Sequence, residues 1–231
     1  MATVYLIPAP LDEEQTEPLP SYILSAIKKC TVLFAENERT ARRYLKKLDR
    51  QIVIDDFEWH TIHKAEQEVQ QHFIDAVKQD KTIGIISEAG CPGIADPGQL
   101  LVAQAHKYGA VVKPLVGPSS ILLALMASGM NGQQFSFVGY LPVDEQQRRK
   151  RLQQLEEISA KQKSTQVFIE TPYRNNQLLE TIVKTCKPST QLSIAADITG
   201  ENELIQTKTI GQWKTAKPDL HKRPVIFCLM G

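Results

Sequence analysis

Features that indicate a secreted, zinc-binding or membrane protein are scarce in this sequence of 231 residues. Its four cysteines are far apart and form no C-x-x-C pair, so neither a disulfide framework nor a zinc site is expected. No apolar run approaches the roughly 20 residues that cross a bilayer. The amino terminus lacks the basic segment and apolar core of a secretory signal peptide. These absences predict a cytoplasmic protein with no membrane partner.

An excess of charge of one sign is also lacking, since the net charge is +1. So small a net charge gives no strong field for a polyanion, and any contact with nucleic acid requires a local basic patch. Histidine is scarce as well. The pair His60 and His63 is spaced as H-x-x-H, but no further ligands accompany it, so no metal site is predicted.

The first half of the chain alternates short β-branched runs with helical patterns. This alternation predicts a largely parallel sheet with helices on its faces. In the last predicted helix, Asp96 is the expected N-cap, Pro97 lies in the first turn and Gly109 forms the C-cap. The predicted strands are 3–7, 31–35, 52–54, 82–87 and 111–115, and the predicted helices are 21–30, 38–48, 63–79 and 97–108.

The second half of the chain has a different order of predicted strands and helices. Two successive strands there are separated by only five residues, including Gly200, which predicts a hairpin and hence a mixed or antiparallel sheet. We therefore expect an α/β protein of two α/β domains, residues 1–116 and 117–231. The predicted strands are 134–139, 164–170, 191–197, 203–209 and 223–229, and the predicted helices are 119–128, 145–163 and 174–185.

Residues 87–98, with the sequence SEAGCPGIADPG, lie between a buried strand and a helix. A loop at the carboxyl end of a parallel strand lies where open α/β sheets bind ligands, and Gly90 and Gly93 let the backbone approach a ligand closely. The loop matches neither phosphate-binding glycine motif. With Glu88 and Asp96 in it, the loop suits a ligand that offers hydroxyls, an ammonium or an adenine edge. The alternative is a structural turn that opens a helix.

This loop resembles the S-D-A-G-T-P-G-x-x-D-P-G signature of the tetrapyrrole methylase superfamily of S-adenosylmethionine-dependent methyltransferases. More narrowly, it resembles the ribosomal RNA small subunit methyltransferase I family, which methylates a cytidine ribose 2′-hydroxyl. Other segments in the same order are similar to motifs of that family: LIPAP at 6–10, FAENERT at 34–40, LVGPSS at 115–120, FVGYLP at 137–142 and IETPYR at 169–174.

The resemblance implies two α/β domains with S-adenosylmethionine in the cleft between them, in a homodimer. It implies methylation of a ribose 2′-hydroxyl in 16S ribosomal RNA, with ribosomal RNA or the small ribosomal subunit as partner. By position in the motifs, the implied cofactor-binding residues are Pro8, Glu88, Ala89, Gly90, Gly93, Ile94, Ala95, Asp96, Ser119, Ser120, Thr171, Pro172, Ala195 and Ala196.

The sequence departs from the family chiefly on the acceptor side. Residues 11–16 read LDEEQT where the family has I-G-N-L-x-D, and residues 195–200 read AADITG where it has A-R-E-L-T-K. Glu88 also replaces the aspartate of the signature. These departures leave two alternatives open, a methyltransferase acting on a tetrapyrrole-like small molecule and a noncatalytic protein that binds the cofactor.

Methylation of a hydroxyl requires removal of its proton, so a carboxylate base is expected. Glu36, Glu38 and Asp197 lie at predicted strand ends, and Glu36 matches the family motif best. Two of them have structural alternatives: Glu36 caps a helix or pairs with Arg39, and Asp197 begins the hairpin turn.

An RNA acceptor requires a basic track for its phosphates. At about 100° per residue, the helical pattern over 38–50 places its basic residues on one face and its apolar residues on the other. A second basic run, RRKR, occupies 148–151. The alternative for both basic runs is a solvated charged face that binds nothing. For Arg174, the alternative is a structural ion pair. The RNA-binding candidates are Arg39, Arg42, Arg43, Lys46, Arg148, Arg149 and Arg174.

Overall fold

The structure is a computed structural model that describes residues 1–62 and 69–231. Backbone contacts divide the chain into two compact units, Met1–Ser119 and Ser120–Gly231. Each unit is built on a five-stranded sheet. Among the described helices, none is apolar over a length that would span a bilayer.

The first unit contains a parallel sheet in the order β3-β2-β4-β1-β5. The predicted alternation of strands and helices is confirmed. Its strands are β1 (Thr3–Ile7), β2 (Val32–Ala35), β3 (Glu58–Thr61), β4 (Thr82–Ile86) and β5 (Val111–Pro114). Its helices are α1 (Tyr22–Ile27), α2 (Glu38–Leu48), α3 (Gln70–Lys78) and α4 (Gln99–Lys107).

Helices cover both faces of this sheet. Ile7 and Leu33 pack in a core with α1 and α2, whereas Val4 and Phe34 pack in a second core with α3 and α4. The loop after β1 therefore leads to one face, and the loop after the neighbouring strand β4 leads to the other. Diverging loops of this kind open a crevice at the carboxyl edge, which is where doubly wound sheets bind ligands.

Two sequence predictions for this unit need correction, and a third falls partly outside the described residues. The apolar run 52–54 is not a strand, because Ile54–Asp56 forms a 3-10 turn and the strand follows at β3. The helix predicted at 97–108 begins at Gln99 with Gly98 as N-cap, so neither Asp96 nor Pro97 belongs to it. The physical reason is that the Pro97 carbonyl accepts a hydrogen bond from the Gly93 amide, which closes the loop before the helix starts. Residues 63–68 of the helix predicted at 63–79 lie outside the described residues.

The second unit contains a mixed sheet in the order β6-β7-β10-β8-β9. Only β6 and β7 pair in parallel, and the predicted hairpin is confirmed as the antiparallel pair β8–β9. Its strands are β6 (Phe135–Tyr140), β7 (Thr165–Ile169), β8 (Gln191–Ala196), β9 (Leu204–Thr209) and β10 (Val225–Met230). Its helices are α5 (Ser120–Ser128), α6 (Glu145–Gln162), α7 (Asn175–Thr185) and α8 (Ile210–Trp213).

Candidate functional site

The carboxyl ends of the central strands of the first sheet lie at one level. Ile7 of β1 and Ala35 of β2 are both in register with Ile86 of β4, which lies between these strands. The residues that follow them, Pro8, Glu36 and the start of the glycine-rich loop, therefore meet at the same edge. The sheet brings together candidates that are far apart in the sequence.

The base of the glycine-rich loop is joined to the loop that follows β1. Ala9 and Gly90 exchange two backbone hydrogen bonds of 2.9 and 3.0 Å. The Ser87 hydroxyl also donates to the Gly90 carbonyl, at 3.0 Å. Gly90 has φ of +71°, a conformation that favours glycine. These bonds hold the loop at the crevice between β1 and β4.

The tip of the loop exposes its backbone. Gly93 has φ of +77°, and a Cβ built on it meets only the Gln99 backbone nitrogen, at 3.9 Å. Ala95 has φ of +63°, which is unfavourable for a residue with a side chain. Strained residues of this kind cluster at functional sites. Ile94, beside them, is exposed, and Ala89 lies at the other end of the loop. Room for a ligand therefore lies against the main chain at Gly93.

Pro8 is fixed from two sides. A Cβ built on Gly117 would lie 2.1 Å from the Pro8 Cβ, so only glycine allows the loop after β5 to pack on this ring. The buried Tyr44 hydroxyl donates to the Pro8 carbonyl at 2.8 Å. Sequence reasoning placed Gly117 in a family motif and Tyr44 on the apolar face of a helix, but it predicted neither contact with Pro8. The glycine in LVGPSS was the available signal for the contact of Gly117 with Pro8. No local signal was available for the contact of Tyr44 with Pro8, because these residues are 36 positions apart.

Three carboxylates, Glu36, Glu88 and Asp96, give this edge its electrostatic character. The Glu88 amide donates to a Glu36 carboxylate oxygen at 3.4 Å, and the Asn37 side-chain amide donates to the Glu88 carboxylate at 2.9 Å. Burial, followed by repulsion from Glu36 and Glu88, raises the pKa of Asp96 to about 7. The edge therefore favours a cationic ligand, most strongly when Asp96 is ionised.

The neighbouring thiol has the opposite character to an activated cysteine. Burial and the charge of Asp96 raise the pKa of Cys91, so its reactive thiolate form is disfavoured. Its sulfur instead lies 3.5 Å from the Pro118 carbonyl oxygen. Cys91 therefore connects the glycine-rich loop with the loop after β5.

In the second unit, the predicted residues lie at one edge of the mixed sheet. Ile169 of β7 and Ala195 of β8 both pair with Ile226 of β10, so these two strands end at the same level. Thr171 and Pro172 follow β7, whereas Ala195 and Ala196 are buried at the end of β8. Ser120 is the first residue of α5, and Ser119 is the last residue of the first unit.

Two carboxylates at this second edge, those of Glu170 and Asp197, are already paired. The buried Glu170 carboxylate accepts hydrogen bonds from the Thr171 amide at 2.7 Å and from Arg174 at 2.6 Å. Asp197, with φ of +49°, accepts one from the Arg223 Nε at 2.6 Å. The structure therefore has Arg174 in an ion pair, one of the two roles expected for it, and Asp197 likewise has an ion-pair partner.

The basic face predicted for α2 is present. Ala41, Tyr44 and Leu45 are buried on its apolar side. The guanidinium of Arg42 lies 5.2 Å from the centre of the Trp59 ring and pairs with Glu38, which leaves Glu38 poorly placed as a base. Arg39, Arg43, Lys46 and Arg50 are exposed. The surface of α2 thus presents a row of basic side chains.

In the second basic run, Arg149 lies at the surface but Arg148 is buried, so the prediction that Arg148 binds RNA is wrong. Arg148 is only 2% exposed, and its guanidinium donates to the Val143 carbonyl at 2.8 Å and to the Thr181 hydroxyl at 3.3 Å. It packs inside the second unit and presents no charge to a phosphate. Arg149 is exposed and pairs with Glu145 at 2.6 Å.

The histidine pair considered in the sequence is only partly described. His60 Nε2 lies 2.9 Å from Oε1 of Glu58, and Oε2 of the same carboxylate accepts a hydrogen bond from Lys81 at 2.6 Å. His63 lies outside the described residues. Within 1–62 and 69–231, no group of three or more metal-ligating side chains is placed to hold a metal ion.

Comparison with known proteins gives sequence relatives over most of the chain. The family model of Tetrapyrrole (Corrin/Porphyrin) Methylases matches residues 4–214. Proteins named ribosomal RNA small subunit methyltransferase I are 34% identical over 68% of the chain in Mesorhizobium japonicum and 28% identical over 98% of it in Vibrio cholerae. One from Halalkalibacterium halodurans is 30% identical over 77% of it. The chain spans 52%, 76% and 58% of these relatives, respectively.

Solved structures share the fold at lower sequence identity. The crystal structure of the methyltransferase CobJ has a TM-score of 0.66 and 16% identity. The match covers 100% of the present chain and 94% of the CobJ chain. The uroporphyrin-III-C-methyltransferase from Thermus thermophilus has a TM-score of 0.60 and 16% identity, with the same coverage. At this identity the likeness concerns the fold, and the expected fold class of two α/β units is confirmed.

Proposed function

Because the chain belongs to the tetrapyrrole methylase family, we propose that it is an S-adenosylmethionine-dependent methyltransferase that acts on a ribose 2′-hydroxyl of 16S ribosomal RNA. The observation that carries the proposal is the open backbone at Gly93 beside three carboxylates. The names of the relatives and the basic face of α2 support RNA as the acceptor. A homodimer and a cytoplasmic location remain predictions.

The residues of the first unit fit the methyl donor. S-adenosylmethionine supplies a methyl group on a positively charged sulfur. A cation and an ammonium suit the acidic edge formed by Glu36, Glu88 and Asp96. The open space above Gly93 accommodates a ligand that a side chain there would displace. The proposed cofactor residues are those of the sequence prediction: Pro8, Glu88, Ala89, Gly90, Gly93, Ile94, Ala95, Asp96, Ser119, Ser120, Thr171, Pro172, Ala195 and Ala196.

Glu36 is the proposed base that removes the proton of the acceptor hydroxyl. It follows β2 at the edge where the glycine-rich loop begins, and its carboxylate accepts a hydrogen bond from the Glu88 amide at 3.4 Å. Asp197, the other candidate, has its carboxylate bound to Arg223 Nε at 2.6 Å, so this carboxylate is already engaged in an ion pair within the second unit. The protein's remaining contribution is to align the acceptor oxygen with the methyl group.

We expect Glu36→Gln to lower kcat for methyl transfer by about 100-fold or more, since general-base catalysis contributes about 10²–10⁴-fold. Donor binding, measured by calorimetry, is expected to weaken by much less than kcat falls, because glutamine removes one of the three charges of the acidic edge but keeps nearly the same shape. Asp197→Asn is the matched comparison and is expected to leave kcat within about tenfold. The reverse order of effects would assign the base role to Asp197.

The experiment that tests the function is transfer of a labelled methyl group from S-adenosylmethionine into small ribosomal subunits that lack the modification. Subunits that already carry it serve as the control acceptor. Label in the unmodified 16S RNA alone supports the proposal. The tetrapyrrole alternative, favoured by the family description, predicts label in a porphyrinogen acceptor instead. Donor binding without transfer to either acceptor would favour the noncatalytic alternative.

A further inference from the structure

An acidic segment, residues 12–17, lies against the basic face of α2. The Lys47 ammonium donates to the Glu13 carbonyl at 2.7 Å and to the Glu14 carboxylate at 2.8 Å. The Arg43 guanidinium lies 3.4 Å from the Glu13 carboxylate. The chain thus places two of its own carboxylates on cations of the track that an RNA backbone would follow. This segment is also one of the places where the sequence departs from the family.

A groove of about 820 Å³ runs between the acidic segment and the helix. From the acidic segment, Glu14 and Thr16 line the groove, and Ile54 and Asp55 also line it. The remaining lining residues are all basic and lie on or just after α2: Arg42, Arg43, Lys46, Lys47 and Arg50. Such a concentration of Lys and Arg around an open groove is the electrostatic pattern of a phosphate-binding surface.

We propose that this groove binds phosphate groups of the acceptor RNA, and that Glu13 and Glu14 cover its cations until the phosphates displace them. The inference rests on the RNA acceptor of the proposed function. It adds the surface that the RNA backbone follows and a competition that controls access to it.

The contacts have the properties of a displaceable cover. The side chains of Glu13 and Glu14 are 57% and 79% exposed, and ion pairs between such exposed groups are weak. The turn itself is held separately, because the Glu14 amide donates to the Asp12 carboxylate at 2.9 Å and the Gln15 amide donates to the Asp12 carbonyl at 3.0 Å. Loss of the two glutamate charges therefore need not unfold the turn.

A single-stranded RNA of roughly 16 nucleotides, labelled with a fluorophore, is the probe for this competition. At about 50 mM salt, the double variant Glu13→Gln/Glu14→Gln is expected to bind this RNA about 3- to 10-fold more tightly than the unmodified protein. Removal of the competing carboxylates also steepens the slope of log affinity against log salt, by roughly 0.7 for each additional phosphate that the protein neutralises. Fluorescence anisotropy between about 50 and 200 mM salt measures both quantities.

The matched control is Asp12→Asn/Glu17→Gln, which removes the same charge from the same segment. Asparagine at 12 keeps the side-chain oxygen that accepts from the Glu14 amide. This control is expected to stay within about twofold of the unmodified protein, since its carboxylates make none of the contacts to Arg43 or Lys47.

An equal rise in RNA affinity in both variants would overturn the competition, because net charge alone would then explain it. The inference is also overturned if Glu13→Gln/Glu14→Gln leaves RNA affinity unchanged, or if no variant binds the RNA. Unchanged affinity alongside methylation of small subunits would leave the proposed function standing without the cover. A selective rise in RNA affinity without methyl transfer would support the groove and count against the proposed reaction.

Discussion

Replacing Gly93 with valine is expected to reduce affinity for S-adenosylmethionine by about 100-fold or more, equivalent to about 2.7 kcal/mol. The Cβ at this position enters open space, with only the Gln99 backbone nitrogen at 3.9 Å. The folded protein alone therefore has room for a small substituent. A valine side chain would occupy the space that the proposal assigns to the ligand. Isothermal calorimetry with S-adenosylmethionine and S-adenosylhomocysteine measures the loss.

Gly109 provides a matched control for the backbone strain of this substitution. Its φ of +72° is close to the +77° of Gly93, and a Cβ on it meets nothing within 4 Å. Valine at either site is expected to destabilise the fold by about 1–2 kcal/mol through the left-handed backbone conformation. Only the Gly93 variant is expected to lose donor binding. Normal binding by Gly93→Val, or an equal loss in Gly109→Val, would contradict the proposed position of the ligand.

Asp96→Asn is expected to stabilise the fold at alkaline pH and to weaken donor binding there. Burial and the charges of Glu36 and Glu88 raise the pKa of Asp96 to about 7, whereas the unfolded chain has an aspartate of ordinary pKa near 3.8. The folded state therefore holds this proton more tightly, and the contribution of Asp96 to stability falls as the pH rises from about 4 to about 7. Asparagine stays neutral and avoids that loss. Thermal denaturation at pH values near 5 and 8 measures the difference.

The donor affinity of the unmodified protein is expected to rise as the pH passes through about 7, because Asp96 of the folded protein ionises there and then attracts the cationic ligand. Asp96→Asn removes most of that rise. Asp56→Asn, which replaces an exposed carboxylate of the same unit, serves as the control and is expected to keep it. A donor affinity that is independent of pH in the unmodified protein would contradict the proposed role of the acidic edge. Unchanged stability of Asp96→Asn near pH 8 would contradict the raised pKa.

Local patterns accounted for much of what the fold contains. The alternation of β-branched runs and helical segments predicted the parallel sheet of the first unit, because neighbouring residues govern backbone preference and periodicity. The spacing of Arg39, Arg43 and Lys46 predicted the exposed face of α2 for the same reason. The glycine-rich loop was also recognisable, since positive φ at Gly90 and Gly93 demands glycine within a short stretch.

Predictions failed where the outcome depends on distant partners. The run RRKR at 148–151 has uniform charge, yet Arg148 turns inward, where its two terminal guanidinium nitrogens donate to the Val143 carbonyl and the Thr181 hydroxyl. The run 52–54 resembles a strand, but β3 forms further along, where Trp59 is in register with Leu33 of β2. In both cases tertiary packing overrides a local propensity that is weak by comparison.

The sequence therefore established the family, the alternation of elements and the residue types at the carboxyl edge, since these depend on short stretches of chain. Folding established which of those residues meet and how they ionise. The raised pKa of Asp96 requires burial together with Glu36, 60 positions away in the numbering of the chain. The contact of Lys47 with Glu14 spans 33 positions. Charge interactions and desolvation depend on distance in space, which the linear order of residues does not specify.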